Sequence, residues 1–302
     1  MADFPVSQHH AQSFTSNVEL LAQQVDHRLR GTYSMGNYVG ESGQVVKQFD
    51  TVEFEEKTAK FGDTNLSELA HKQRWVFPAD FTLALPIERE DEIRTLGSLE
   101  SPYAAAMAAA WNRKKDSIIS TALTSSAKTG KNGGTTTAFD STNMQVGVDA
   151  TVGGTTSANT GMTVNKLILA REKLDEQEVG EDETRYMGVR RKQITDLLTD
   201  TNVTSADFNT IKALVRGDVN EFMGFTFVRY EGFDVGTAGT DIATCPFWVG
   251  SGIHLGSWNG LQSRVAERAD KNHITQIFMR GTIGATRTQE KKVGSVLCDQ
   301  SP

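Results

Sequence analysis

Histidine and cysteine are two of the side-chain types that can bind a metal or act as nucleophiles. The histidines are His9, His10, His27, His71, His254 and His273. None forms a His-x-x-x-His pair, and none lies near a cysteine at zinc-binding spacing. His254 lies in an apolar, strand-like region and is predicted to be a hydrogen-bonded structural histidine. The sequence therefore predicts no metal site, no cofactor and no catalytic residue.

The two cysteines, Cys245 and Cys298, stand far apart in the sequence. Their pattern predicts reduced, buried thiols and does not define a disulfide. Reduced thiols, and an N-terminus without an apolar leader, favour a cytoplasmic protein.

Three glycine-containing motifs resemble catalytic loops but lack the required spacing. Residues 129–132 (TGKN) resemble the end of a phosphate-binding loop, but Ser125 and Asn132 occupy positions that need glycine and a hydroxyl residue. Residues 250–252 lack the spacing of a nucleophile elbow. Residues 281–284 are not a dinucleotide-binding fingerprint, because they follow no strand-to-helix turn. The Ser-, Thr-, Gly- and Asn-rich stretch 125–162 is therefore interpreted as a mobile loop or a hairpin tip.

Acidic residues cluster at 88–92 and 175–178. Paired catalytic carboxylates would need a pocket, and no other feature of the sequence indicates one. We interpret both runs as solvated faces or as ion pairs between subunits, with a bound metal as the alternative.

Composition excludes two classes of partner. The 302 residues carry a formal net charge of −7, which argues against a surface built to grip phosphate backbones. No stretch approaches the roughly 20 apolar residues needed to cross a bilayer. The length is sufficient for one large or two modest domains.

The first 87 residues predict a helix followed by a long β-hairpin. Apolar residues recur at helical spacing over 13–30, and Gly31 would end this helix. The helix packs either on its own domain or on a neighbouring subunit. Strand patterns at 52–55, 74–77 and 81–85 surround a polar tip, and Pro86 follows the last of them. Because an isolated two-stranded ribbon is marginally stable in water, we expect it to lie on another molecule.

Two helices follow the hairpin. Residues 102–127 form an Ala-rich helix of roughly 37 Å, with Ser101 as N-cap and solvated charges at 113–116. Residues 164–179 form the second helix, between Thr163 and Gly180. Its apolar face is predicted from Val164, Leu167, Ile168 and Leu174.

The last third of the chain is mostly strand. Predicted strands cover 185–189, 221–231, 245–249, 263–268, 274–287 and 292–298, and short helices cover 192–198 and 206–215.

This order of elements resembles the major capsid proteins of tailed bacteriophages of the Hong Kong 97 type. Residues 185–198 (RYMGVRRKQITDLL) resemble the strand and helix of the family's axial domain, and residues 221–230 (EFMGFTFVRY) resemble a later strand. Residues 247–250 (FWVG) and 262–268 (QSRVAER) resemble the strands that return to the peripheral domain. Helix 102–127 resembles the family's long spine helix.

The resemblance implies an α+β fold with five segments. An N-terminal arm covers 1–43, an extended hairpin called the E-loop covers 44–87, and a peripheral domain with the spine helix covers 88–180. An axial domain covers 181–262, and return strands to both domains cover 263–302.

The resemblance also implies a function and partners. The chain would assemble with itself, as hexamers and pentamers, into an icosahedral shell around double-stranded DNA in the virion. Its other partners would be a separate scaffolding protein, a portal protein at one vertex and decoration proteins, with no membrane. Some relatives crosslink an E-loop lysine, but Lys57, Lys60 and Lys72 do not by themselves predict a crosslink.

Five residues are predicted to contact neighbouring subunits: Val18 and Leu21 in the arm, and Trp75, Phe77 and Phe81 in the E-loop. Two alternatives stay open. One is an encapsulin-like compartment shell of the same fold. The other is a monomeric α+β enzyme or ligand-binding protein, which would show a deep pocket with perturbed titratable groups.

Overall fold

The computed structural model describes residues 23–49, 52–54, 56, 69–87, 100–156, 158–180, 182–200, 221–234 and 241–300. The helices in this part are α1 (Glu100–Thr124), α2 (Val164–Glu176) and α3 (Arg191–Thr199). The strands are β1 (Ser34–Asn37), β2 (Gly43–Phe49), β3 (His71–Val76), β4 (Ala79–Ile87), β5 (Ala127–Thr129), β6 (Thr135–Thr137), β7 (Gln145–Val146), β8 (Ala150–Thr151), β9 (Gly154–Thr155), β10 (Arg185–Val189), β11 (Glu221–Phe222), β12 (Phe225–Arg229), β13 (Ile242–Val249), β14 (Ile253–Arg268), β15 (Ile274–Arg287) and β16 (Val293–Asp299).

Contacts divide the chain into two compact units. The first contains Met1–Asp26, Asp80–Arg113 and Leu261–Gly281. The second contains His27–Ala79, Lys114–Gly260 and Thr282–Pro302.

The first unit has a small apolar core. Ile87 on β4, Met107 on α1, and Ile277 and Met279 on β15 form this core. In this unit β15 lies between β14 and β4. Gly281 lies against the ring of Trp111, so that any side chain at this position would overlap the indole.

The second unit is built on a six-stranded mixed sheet with the order β11-β12-β10-β13-β16-β7. One apolar cluster joins this sheet to α2 and α3, with Leu167, Leu197, Phe225 and Phe247 among its buried members. A second cluster joins the C-terminal half of α1 to Trp248 and its neighbours. Helix α2 therefore shares a core with β10, β12 and β13, which belong to the predicted axial segment, whereas α2 itself belongs to the predicted peripheral segment.

A second sheet has the order β2-β3-β5-β6. Strands β2 and β3 are antiparallel, with Gly43 opposite Val76 and Phe49 opposite His71, and they form the predicted hairpin. Two details of the prediction are wrong. Residues 52–54 contain no strand, because pairing with β3 ends at Phe49. The strand that includes residues 81–85 continues through Pro86 to Ile87 and pairs with β15 instead of β3.

The helix predicted over 13–30 is wrong for its described part, residues 23–30. The backbone amides of Arg28 and Leu29 donate to the carboxylate of Asp116, 3.0 Å away in each case, instead of to helical carbonyls. A turn follows, in which Gly31 adopts a φ of 81°. Residues 13–22 lie outside the described part.

The two long predicted helices are present, with corrections. Helix α1 ends at Thr124, three residues before the predicted end, and Asp116 is fully buried instead of solvated. Helix α2 begins after the predicted N-cap, where the Thr163 hydroxyl accepts from the Lys166 amide at 3.4 Å. It ends at Glu176, before the predicted end at 179. Ile168, which was predicted to lie on the apolar face of α2, is exposed. Lys166 and Ala170 are buried instead.

The low-complexity stretch 125–162 is a packed segment, and its interpretation as a mobile loop is wrong. Its start forms the β5–β6 hairpin, where Gly130 adopts a φ of 84°, so that residues 129–132 do lie at a hairpin tip. Met144, Val146 and Met162 from the same stretch are buried in the core of the six-stranded sheet.

The C-terminal strands are close to their predictions. Strand β10 has the predicted bounds, and β14 is ten residues longer at its start than predicted. The strand predicted at 221–231 is divided into β11 and β12 by a turn at Met223 and Gly224, which both adopt positive φ values. The helix predicted at 206–215 lies outside the described residues. Within the described part, no helix is long and apolar enough to cross a membrane.

Candidate assembly surfaces

The histidines and cysteines in the described part have structural roles. His254 donates or accepts at both ring nitrogens, to the Ser34 hydroxyl at 2.8 Å and the Tyr38 hydroxyl at 2.9 Å. Burial lowers the pKa of His254, which keeps the ring neutral near pH 7. The prediction of a structural histidine is confirmed. Among the described residues, no group of three His, Cys, Asp or Glu side chains could hold a metal ion.

Both cysteine side chains are buried free thiols, as predicted. They lie on the paired strands β13 and β16, where Cys298 is opposite Ala243 and Cys245 is opposite Val296. Hydrogen bonding with Cys298, together with burial, raises the pKa of Cys245 well above its ordinary value. A protonated buried thiol is a poor nucleophile, so Cys245 contributes packing to this sheet.

Asp116 on α1 is the centre of a buried polar network that includes His27 and Tyr33. Its carboxylate is fully buried and lies 2.5 Å from Nδ1 of His27, whose Nε2 lies 2.8 Å from the Tyr33 hydroxyl. Burial raises the pKa of Asp116, but the hydrogen bonds from His27, Arg28 and Leu29 together lower it by more, so the net shift of the pKa is downward. An Asp-His-Tyr chain suggests an enzyme relay, but here it attaches residues 27–33 to α1.

The larger of two described clefts has a volume of about 440 Å³ and is polar. Its lining residues are Arg171, Asp182, Glu183, Thr184, Arg185, Glu221, Gly224 and Thr226. Two of the charges in this cleft have partners, since Glu183 pairs with Lys292 at 2.7 Å and Arg185 pairs with Asp175 at 2.7 Å. An open, charge-paired cleft does not resemble the deep apolar pocket that a small-molecule site needs.

Large apolar side chains are exposed on the hairpin and at its ends. We call Phe49, Val52, Phe54 and Phe77 the hairpin surface. Phe54 is fully exposed, at 107% of its reference area, and Phe77 is 42% exposed. Phe49, Val52 and Phe54 are close together in the sequence, whereas Phe77 follows Val76 at the other end of the β2–β3 pair. A group of exposed apolar side chains such as Phe49, Val52 and Phe54 is typical of a contact site. Covering them would contribute roughly 25 cal/mol for each Å² of apolar area removed from water.

The five predicted contact residues have different environments. Trp75 is half-buried, and its indole N–H donates to the Gly130 carbonyl at 2.7 Å, so the chain's own β5–β6 hairpin covers part of it. Phe77 is exposed. Phe81 is half-buried, with its ring centroid 6.4 Å from that of Trp111. Val18 and Leu21 lie outside the described residues.

Sequence reasoning missed Phe49 and Phe54 as contact candidates. The signal was available, because the alternation of Val52 and Phe54 with glutamates suggested a half-buried strand. No described strand pairs with residues 52–54, and the side chains of Val52 and Phe54 are exposed.

A buried charged cluster lies at the base of the hairpin. Arg74 on β3 and Arg287 at the end of β15 both form ion pairs with Glu290. Their exposures are 6% for Arg74 and 0% for Arg287. Sequence analysis did not single out these residues, because no local pattern places positions 74 and 287 together.

Comparison with known proteins decides the family. Residues 6–300 match the model of a family described as phage capsid protein. The chain belongs to the phage capsid protein family. No curated protein sequence matches this capsid protein.

Solved capsid structures share the fold of this capsid protein. The capsid of cyanophage P-SCSP1u is 14% identical, over 99% of this chain and 96% of that chain, with a TM-score of 0.73. The capsid of cyanophage Pam1 is 12% identical over 99% of each chain, with a TM-score of 0.71. The capsid of Ralstonia phage GP4 is 12% identical over 100% of each chain, with a TM-score of 0.68.

At these identities the likeness shows a common fold, and it confirms the predicted α+β, Hong Kong 97-like architecture. Together with the family, it confirms a structural major capsid protein that associates with itself in the virion shell. The compartment-shell and ligand-binding alternatives have no support in these comparisons.

Proposed function

We propose that this capsid protein assembles as hexamers and pentamers into an icosahedral shell that encloses double-stranded DNA. In this proposal the E-loop and the N-terminal arm reach over neighbouring subunits, and assembly takes place in the host cytoplasm. The chain acts as a building block and performs no catalysis. The observation that carries the proposal is the exposed hairpin surface on a member of the phage capsid protein family.

The physical basis of assembly is the repetition of modest contacts. An exposed Phe54 or Phe49 gains free energy when a neighbouring subunit covers it, and each subunit contributes such a contact. A subunit in a closed shell is held by several neighbours at once, so weak contacts multiply into a stable assembly. The predicted contact residues Val18, Leu21, Trp75, Phe77 and Phe81 stay part of this proposal.

The proposal includes three other protein partners and the genome. A scaffolding protein would direct curvature during assembly, a portal protein would occupy one vertex, and decoration proteins would bind the finished shell. The net charge of −7 disfavours specific DNA contacts, so the genome would be held by confinement.

The test places a charge on the hairpin surface. Phe54→Asp and Phe49→Asp should yield folded, soluble subunits that form few or no shells, because each change removes an exposed apolar contact without disturbing the core. Electron microscopy and sedimentation of the assembly products measure this. Phe54 and Phe49 are cleaner targets than Trp75, whose indole is bonded to Gly130 within the same chain.

The control is Lys47→Asp, which makes an exposed polar position of β2 more negative by two charge units, more than either phenylalanine variant does, without removing an apolar side chain. This control should assemble. Normal shells from both phenylalanine variants would contradict the proposed role of the hairpin surface.

A further inference from the structure

The charged cluster at the hairpin base joins two segments that are distant in the sequence. Arg74 belongs to β3, Arg287 ends β15, and Glu290 begins the 3-10 turn that follows. Arg74 pairs with one carboxylate oxygen of Glu290, and Nη2 of Arg287 lies 3.4 Å from the other. Two buried guanidinium groups therefore share a single carboxylate.

Arg287 extends the cluster to the end of α1. Its Nη1 donates to the carbonyls of Leu123 at 3.1 Å and Ser125 at 2.7 Å. Carbonyls at a helix C-terminus lack partners within the helix and carry partial negative charge, so a buried guanidinium is well placed there. Contacts thus run without interruption from the last turn of α1 through Arg287 and Glu290 to Arg74.

Further bonds attach both hairpin strands to the same region. The Gln48 side-chain amide on β2 donates to the Thr288 carbonyl at 2.8 Å. Strand β5 begins two residues after α1 ends and pairs with β3, with Thr129 opposite Arg74. Main-chain pairing and side-chain ion pairs therefore meet at Arg74.

We propose that Arg74, Glu290 and Arg287 are positioning residues that fix the direction in which the hairpin leaves the end of α1. The inference rests on the proposed function, since this direction decides whether the hairpin surface meets the neighbouring subunit. A buried ion pair contributes little net stability compared with apolar packing, but its partners must keep one geometry. Arg74 Nη1 and Arg287 Nε have no hydrogen-bond partner in the described part, which is a cost of this arrangement.

The experiment compares assembly products at matched stability. Arg74→Met should give folded subunits with a lowered melting temperature, and their products should be irregular shells or open sheets with a broad range of diameters. Hydrogen exchange should rise in both β2 and β3. Arg74→Lys keeps the charge and one donor for Glu290, and it should restore regular shells.

The control is Leu174→Ala, which truncates a buried residue of the core around the six-stranded sheet, away from the hairpin. At growth temperatures chosen so that both variants are equally folded, Leu174→Ala should give regular shells. If Arg74→Met also gives regular shells, or if Leu174→Ala gives the same irregular products, the positioning role is overturned. Loss of assembly in Phe54→Asp would then leave the proposed function intact, so the two failures are distinguishable.

Discussion

Two buried charges show how single residues stabilise this chain. Lys166 is fully buried and donates to three carbonyls, those of Thr160 at 2.7 Å, Gly161 at 2.9 Å and Leu297 at 2.9 Å. Three donors thus meet three acceptors, and burial lowers the pKa of this lysine. Asp116 is satisfied in the same way, by His27 and by two backbone amides. Lys166 attaches residues 160–161, which lie in no strand or helix, to α2 and β16, and Asp116 attaches residues 27–29 to α1.

Asp116→Asn should lower the free energy of unfolding of the soluble subunit by about 1–3 kcal/mol at pH 6, because the amide keeps only one acceptor oxygen. The lowered folded-state pKa of Asp116 means that its stabilisation is present above its unfolded value of 3.8 and is lost as pH falls through the folded value. Urea unfolding of both proteins between pH 6 and pH 2.5 measures this. The difference in unfolding free energy between the wild-type protein and Asp116→Asn should become smaller as the pH falls. A difference that stays constant from pH 6 to pH 2.5 would contradict this role of Asp116.

The sequence could not predict these buried charges. Asp116 follows Arg113, Lys114 and Lys115, and four charged residues in succession are typical of a solvated helix face. The amides it accepts from lie 87 and 88 positions earlier, and no local pattern reports that distance. Lys166 was overlooked for the same reason, since its acceptor at Leu297 is 131 positions away.

Elements with a long, local apolar pattern could be predicted from the sequence, and elements without one could not. The helices α1 and α2 and the C-terminal strands were predicted because their apolar periodicity is long and local. The position of β2 was missed, since the clearer alternation at 52–54 lies beyond the end of pairing. The contribution of β5 and β6 was also missed, because a Thr- and Gly-rich stretch has little apolar signal and pairs with β3 only through the tertiary fold.

The β5–β6 hairpin pairs with the β2–β3 hairpin through β3 and β5, and Gly133 is a position of close approach between them. Gly133 adopts a φ of 70°, and an added Cβ would lie 2.8 Å from the Phe77 ring and 3.2 Å from Cβ of Trp75. Gly133→Ala should therefore cost about 1 kcal/mol from backbone strain, and more from the close contact.

Hydrogen exchange of β3, β5 and β6 measures this effect. Gly134→Ala is the matched control, because an added Cβ there meets nothing within 4 Å. It should leave exchange unchanged. If amide protection from exchange is the same in both variants, the turn at Gly133 does not stabilise the β2–β3 hairpin.

At the scale of the whole molecule, the capsid protein combines apolar cores with an exposed apolar hairpin. Two apolar clusters and the six-stranded sheet form the core of its larger unit. The hairpin surface has no such cover among the described residues of its own chain, and a net charge of −7 disfavours non-specific association of free subunits. We therefore expect the capsid protein to fold as a free subunit and to gain further stability when neighbouring subunits cover the hairpin surface.

Electron microscopy of the chain, expressed together with the products of its neighbouring genes, tests the central claim most directly. The account predicts uniform icosahedral particles, whose diameter bounds the number of subunits in the shell. Dispersed monomers, with no shells or capsomers under any condition of salt, pH or concentration, would contradict it.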